Sequence, residues 1–295
     1  MSTTGSQDEL PISRPNTTSN PQRPTKPWIG TVTMIRNFSV DWLGEYIGTT
    51  MFLFFAFSGT LFVRLYPPDS ESSTTSPLLT TLYIALIFGF SLAINVWIFF
   101  RVSGGFFNPA ITFAFFLAGK LPLSKTVIHL VAQILGGMTA AGLVKGLFPG
   151  GRKTLALVGT ELADGMTVGR GLAVEMFLTA ELVFTVFMLA AEKHRATFLA
   201  PIGIGLAMFV IELSGAFFTG GSANPTRSFG PCVASHSFPG FHWIYWVGPG
   251  LGSILATLVY KIVKCLEYED VNPGQDANLE EKFCVNCRQK LGSGN

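Results

Sequence analysis

Charge is what this 295-residue chain has least of: Asp, Glu, Lys and Arg together make up 13% of it. A soluble domain of this size carries about twice that share, so a water-facing globular surface is excluded first. The net charge of +2 lacks the strong basic excess of a nucleic-acid binder. Four cysteines are too few and too scattered for a disulfide framework, with Cys232 and Cys265 in or beside apolar segments. Cys284 and Cys287 form a single Cys-x-x-Cys pair, half the ligand set of a structural zinc site. The histidines, His129, His194, His236 and His242, stand singly, and outside the tails no activated nucleophile, paired acid and base or metal-ligand cluster is evident. No enzyme activity, cofactor or metal is expected. The first residues are polar and rich in Pro, Ser and Thr, without the apolar core of a cleavable signal, so the first apolar helix is expected to act as the targeting signal.

Apolar sequence fills the space that charge leaves. Hydrophobic residues make up 48% of the chain, with 27 Phe and 32 Gly, and the mean hydropathy is +0.44. A helix needs about 20 apolar residues to cross a bilayer. Six stretches meet that length, near 42–66, 78–100, 124–147, 171–192, 198–218 and 241–265. Two more, near 109–118 and 225–235, are too short to cross, and each opens on Asn-Pro. Proline suits the first helical position and Asn suits the cap before it. Each short run is therefore a half-helix starting at Asn108 or Asn224. The expected layout is an all-α membrane protein with a disordered tail at 1–40, a bundle at 41–266 and a second tail at 267–295. Lysine and arginine favour the side of both tails about two to one, which predicts that both termini are cytoplasmic.

The bundle repeats itself. Gly104-Gly105-Phe106-Phe107-Asn108-Pro109-Ala110 matches Gly220-Gly221-Ser222-Ala223-Asn224-Pro225-Thr226. The first span of each half carries Glu with Thr four residues on, Glu45 with Thr49 and Glu175 with Thr179, a spacing that stacks both on one helix face. Repeat one runs about 41–148 and repeat two about 170–266. Three spans per half is an odd number, so the second copy enters from the opposite side. The two half-helix N-termini can then meet near the midplane, where irregular backbone is tolerated only beside a cavity or inside protein.

These paired boxes, with Arg227 after the second, resemble the signature of the aquaporin (major intrinsic protein) family, and within it the fungal water-channel-like members. The resemblance covers about 40–266, including the stretch His242 to Pro249, which is similar to the family's sixth helix. It departs from the pattern at Thr226, where the family has alanine. The resemblance, and not the sequence itself, implies a homotetramer with one pore per subunit and a place in the plasma membrane. It implies a pore signature of Asn108, Pro109, Ala110, Asn224, Pro225 and Thr226. It also implies a selectivity filter of Phe88, Glu212, Gly221 and Arg227, where Glu212 stands at a position that is usually His in water-selective relatives. Glu45 and Glu175 are expected to be buried carboxylates that hold the re-entrant loops, with Glu181 a further candidate for the same interior. If it lines the filter, Glu212 is expected to face Arg227 a few Å away, where opposite charges attract by roughly 4 kcal/mol at 4 Å and an effective dielectric near 20; the alternative is a carboxylate packed against loop backbone donors away from the lumen. Ser228, directly after the arginine, replaces the Asp of glycerol-conducting relatives.

The expected function is passive conduction of water without protons or ions, with hydrogen peroxide as a possible second permeant. A facilitator of peroxide, glycerol or other small neutral solutes, and a structural membrane protein with a residual pore, stay open as alternatives. Water, small neutral solutes and the lipid bilayer are the expected partners, and nucleic acid is not.

Overall fold

The computed structural model describes residues 27–65 and 75–272. Most of both predicted tails therefore lies outside the described residues. Ten α-helices follow in order: α1 (Pro27–Leu65), α2 (Thr75–Phe99), α3 (Pro109–Leu117), α4 (Leu123–Leu147), α5 (Arg152–Val158), α6 (Val168–Val186), α7 (Ala200–Thr219), α8 (Pro225–Ser235), α9 (Ile244–Cys265) and α10 (Tyr268–Val271). A π-helical turn, Phe187–Ala191, extends α6. Six helices are long and apolar enough to cross a membrane, with mean hydropathy between 1.4 and 2.1. The described residues form no strand.

Two boundaries differ from the sequence expectation. Helix α1 begins at Pro27 rather than near residue 41, with proline at its first position, where a missing N–H costs nothing. The backbone of the expected C-terminal tail makes one more helical turn, α10. The chain divides into two units, 1–36 and 37–295, and the second holds the bundle.

Within the bundle α2 packs along α7 and α6 along α9, while the short helices α3 and α8 pack on α9 and α4 respectively. Small residues set these distances. A Cβ on Gly137 would lie 2.1 Å from Thr226 Cγ2, and one on Gly230 would lie 2.4 Å from the Gly137 carbonyl oxygen. On the other side, a Cβ on Gly252 would meet the Met176 oxygen at 2.4 Å and one on Gly248 would meet Glu175 Cβ at 2.8 Å. Close approach at small residues is the usual means of helix association in a bilayer, where no hydrophobic gain is available. Gly250 has nothing within 4 Å of a built Cβ, so it takes no part in this packing. Glu181 is exposed on α6 and does not face the interior.

Candidate functional site: two half-helices and a charged constriction

Asn108 and Asn224 start the half-helices. Their side-chain oxygens accept from Ala110 N at 2.9 Å and Thr226 N at 3.1 Å, so each caps its own helix. The amide nitrogens reach across. Asn108 Nδ2 donates to the Ala223 carbonyl at 2.8 Å, and Asn224 Nδ2 donates to the Phe107 carbonyl at 2.9 Å. The two boxes are therefore pinned to each other. An amide carries two N–H donors, so each Asn keeps a second one beyond this link. Both residues are buried, and the two N-termini bring roughly half a positive charge each to one region.

Matching carboxylates hold the two loops. Glu45 accepts from Ser103 Oγ (2.6 Å), Phe106 N (3.1 Å), Phe107 N (2.9 Å) and Gln133 Nε2 (2.8 Å). Glu175 accepts from Thr219 Oγ1 (2.6 Å), Ser222 N (3.0 Å) and Ala223 N (2.8 Å). The residues before each Asn, Phe107 and Ala223, have φ of 52° and 44°. Left-handed backbone costs a non-glycine residue about 1–2 kcal/mol. Charge-assisted bonds from two consecutive N–H groups to one carboxylate offset that cost, since such bonds are about twice as strong as neutral ones.

Arg227 is fully buried, two residues into α8. Its Nη1 donates to the Val158 carbonyl at 2.8 Å and its Nη2 to the Gly220 carbonyl at 3.1 Å. The Phe88 ring centroid lies 5.0 Å from its Cζ and the Phe57 centroid 5.7 Å, within cation–π range. Its Nε has no hydrogen-bond partner. Glu212 is also fully buried, and both its carboxylate oxygens lack a partner. It lies against Gly221, where a Cβ would come within 2.2 Å of Oε2 and where φ is +58°, a backbone that favours glycine. Phe88, Glu212, Gly221 and Arg227 thus gather in one place.

The expected ion pair is absent there. Among the described residues the ion pairs within 4.0 Å are Lys120–Glu192, Lys125–Asp41, Lys264–Glu192 and Lys264–Glu269. Two backbone carbonyls fix the guanidinium, and it does not close on the carboxylate.

Several supporting groups carry no signal in the sequence. The Val158 carbonyl comes from α5, a segment with no box of its own. Tyr245 Oη donates to the Thr219 carbonyl at 2.8 Å. Ser228 shares a 2.6 Å hydrogen bond with Ser222, whose hydroxyl also donates to the Asn224 carbonyl at 3.0 Å. Gln133, which the sequence analysis does not single out, has a signal that could have found it: it is a lone amide in an apolar span, and it donates to both Glu45 and Thr112 Oγ1.

Paired half-helices inside a six-span helical bundle define a class of membrane protein built around a central path. Known proteins give that class its family. A match to "Major intrinsic protein" covers residues 33–260, and the chain belongs to this family, whose aquaporin members are channels and not enzymes. It is 53% identical over 269 residues to Aquaporin-7 of Botryotinia fuckeliana, covering 89% of this chain and 58% of that protein. It is 50% identical over 237 residues to Probable aquaporin-3 of Gibberella zeae, covering 80% and 82%. The chain spans about half the length of several such relatives. The solved structure of the aquaglyceroporin from Plasmodium falciparum has the same fold, with a TM-score of 0.69 at 20% identity, over 80% of this chain and all of that one.

Proposed function

We propose that this protein conducts water passively across a membrane while excluding protons and ions. The observation that carries this reading is the cross-linked pair Asn108 and Asn224 at two facing half-helix N-termini. A water that accepts from the remaining amide N–H groups is oriented by them and cannot accept from its neighbour in the file, which interrupts proton hopping. The positive ends of the half-helices and the fixed charge of Arg227 repel cations. Phe88 supplies an apolar wall beside the arginine. In this reading Asn108, Pro109, Ala110, Asn224, Pro225 and Thr226 form the pore signature, Phe88, Glu212, Gly221 and Arg227 form the filter, and Glu45 and Glu175 hold the loops.

The working unit in this reading is a homotetramer in the plasma membrane with both termini in the cytoplasm. Proteoliposomes in an osmotic step test the function. Loaded vesicles should shrink faster than empty ones while an internal pH dye stays constant. Equal shrinkage with correctly inserted protein would overturn the water reading, and acidification would overturn proton exclusion.

A second reading, facilitation of hydrogen peroxide or another small neutral solute, is favoured by Glu212. Both of its carboxylate oxygens are free to accept, which suits a permeant with several O–H or N–H donors. Measuring solute and water permeability on the same vesicles separates the two readings.

A further inference from the structure

His129 lies on α4 inside the bundle, 1% exposed, and neither of its ring nitrogens has a hydrogen-bond partner. Buried polar groups are normally bonded, and this one is surrounded by groups that could bond it. Lys125, His129 and Gln133 stand four residues apart and share one face of α4, as Asp41 and Glu45 share one face of α1. Lys125 pairs with Asp41 at 2.8 Å and Gln133 donates to Glu45 at 2.8 Å, so His129 sits between two links of α4 to α1. Asp41, Glu45 and Lys125 are the charged groups that face it. The loop ahead of Asn108 supplies the remaining neighbour. Phe106 meets the His129 ring edge to face, with 5.2 Å between centroids.

Phe106 is also a wall of the inner half of the path. A cavity of about 170 Å³ lies at the end away from the filter, with Leu92, Val96, Phe106, Phe115 and Ile204 in its lining. Leu92 and Val96 follow Phe88 at four-residue steps on α2, and Ile204 precedes Met208 and Glu212 at the same step on α7. Each stripe is buried and shares one helix face, so both run from the filter to this cavity. Three contacts hold the Phe106 ring: the His129 ring, the Phe115 ring at 4.8 Å, and Gly104, where a built Cβ would lie 2.6 Å from Phe106 Cε2. The Phe106 backbone N donates to Glu45 at 3.1 Å. Phe106 therefore touches His129 through its ring and Glu45 through its backbone.

We propose, resting on the channel reading above, that His129 positions Phe106 as a proton-sensitive inner restriction of the pore. The neutral imidazole gives Phe106 an edge-to-face neighbour, and Glu45 stays with the loop N–H groups. A proton taken up from water turns both ring nitrogens into donors and adds a charge. Asp41 is already committed to Lys125, so the new donor turns to Glu45, the carboxylate that fixes Phe106 N and Phe107 N. Competition for that carboxylate loosens the loop, and the Phe106 ring swings from His129 into the cavity. Histidine is the side chain whose charge changes near neutral pH, so acid narrows the path at this end.

The full chain in proteoliposomes tests this, with both faces of the membrane stepped together from about pH 8 to about pH 5. Water permeability should fall at least twofold in the parent. His129→Phe keeps a ring beside Phe106 and should lose that pH response, as should Phe106→Ala, which removes the ring that moves. His194→Gln, at a loop histidine away from this contact, should keep it. A flat parent profile would overturn the proposal, as would a response that survives in His129→Phe or Phe106→Ala, or one that vanishes in His194→Gln. Fluorine NMR of the Phe106→4-fluorophenylalanine chain reads the ring without any flux. Its signal should move between the two pH values and stay still when His129→Phe is added. Vesicles that pass no water would sink the channel reading, and the fluorine signal would still decide the His129 contact: a signal that moves only with His129 present supports it, and one that never moves overturns it.

Discussion

Glu212 and Arg227, an acid and a base, are both fully buried, yet they do not form a close ion pair. Arg227 is held by the Val158 and Gly220 carbonyls, and this leaves the Glu212 oxygens without a protein donor. Replacing the carboxyl group should therefore leave the arginine in place. Glu212→Gln is expected to fold, to keep Arg227 anchored, and to shift the ratio of peroxide to water permeability at least twofold. Permeabilities measured on one vesicle preparation check this. An unchanged ratio would place Glu212 outside the lumen. Gly221→Ala is a harsher change, since a Cβ there comes within 2.2 Å of Glu212 Oε2 on left-handed backbone.

Among the elements, the contact between α4 and α8 explains how Thr226 replaces alanine in the second box. Its methyl packs where Gly137 has no side chain, at 2.1 Å from a built Cβ. Gly137→Ala should cost about 1–3 kcal/mol by overpacking. Shortening the opposing side chain with Thr226→Ala should recover part of that loss. A double-mutant cycle by thermal unfolding in detergent should show coupling of about 0.5–3 kcal/mol. Additive losses would mean that α4 and α8 do not meet through this pair. Gly230→Ala should resist such rescue, because its Cβ would face the Gly137 backbone oxygen at 2.4 Å.

At the scale of the whole molecule, Glu192 ties both halves together at the end opposite the filter. It accepts from Lys120 after α3 at 3.0 Å, from Lys264 on α9 at 3.0 Å, and from Tyr260 Oη. Burial pushes the Glu192 carboxyl up, but the hydrogen bonds from Tyr260, Lys264 and Lys120 outweigh it and hold the value at about 2. A carboxyl lowered in the folded state stabilises the fold above its unfolded value, and that contribution is lost as pH falls toward the folded value. The link should thus be constant at neutral pH and weaken between about 4.5 and 2. Tm measured against pH in detergent should fall more steeply in that window for the parent than for Glu192→Gln, with the variant lower at pH 7. Parallel curves would show that Glu192 contributes nothing to stability.

Much of this architecture was legible in one dimension. A bilayer imposes a length on apolar runs, so six spans could be counted, and Asn-Pro marked both half-helix starts because capping and proline chemistry are local. The Glu-x-x-x-Thr spacing placed Glu45 and Glu175 on repeated helix faces. Side-chain identity and short-range periodicity determined these features, since each depends on neighbours within a few residues. Only the tertiary structure decided who partners whom. It spent one N–H of each Asn on the opposite box, anchored Arg227 on a carbonyl 69 residues away, and turned Glu181 outward. It also set the His129 ring against Phe106. The physical reason is that backbone carbonyls are the same in every residue, so a side chain anchored on one leaves no trace in the sequence until the chain has folded around it.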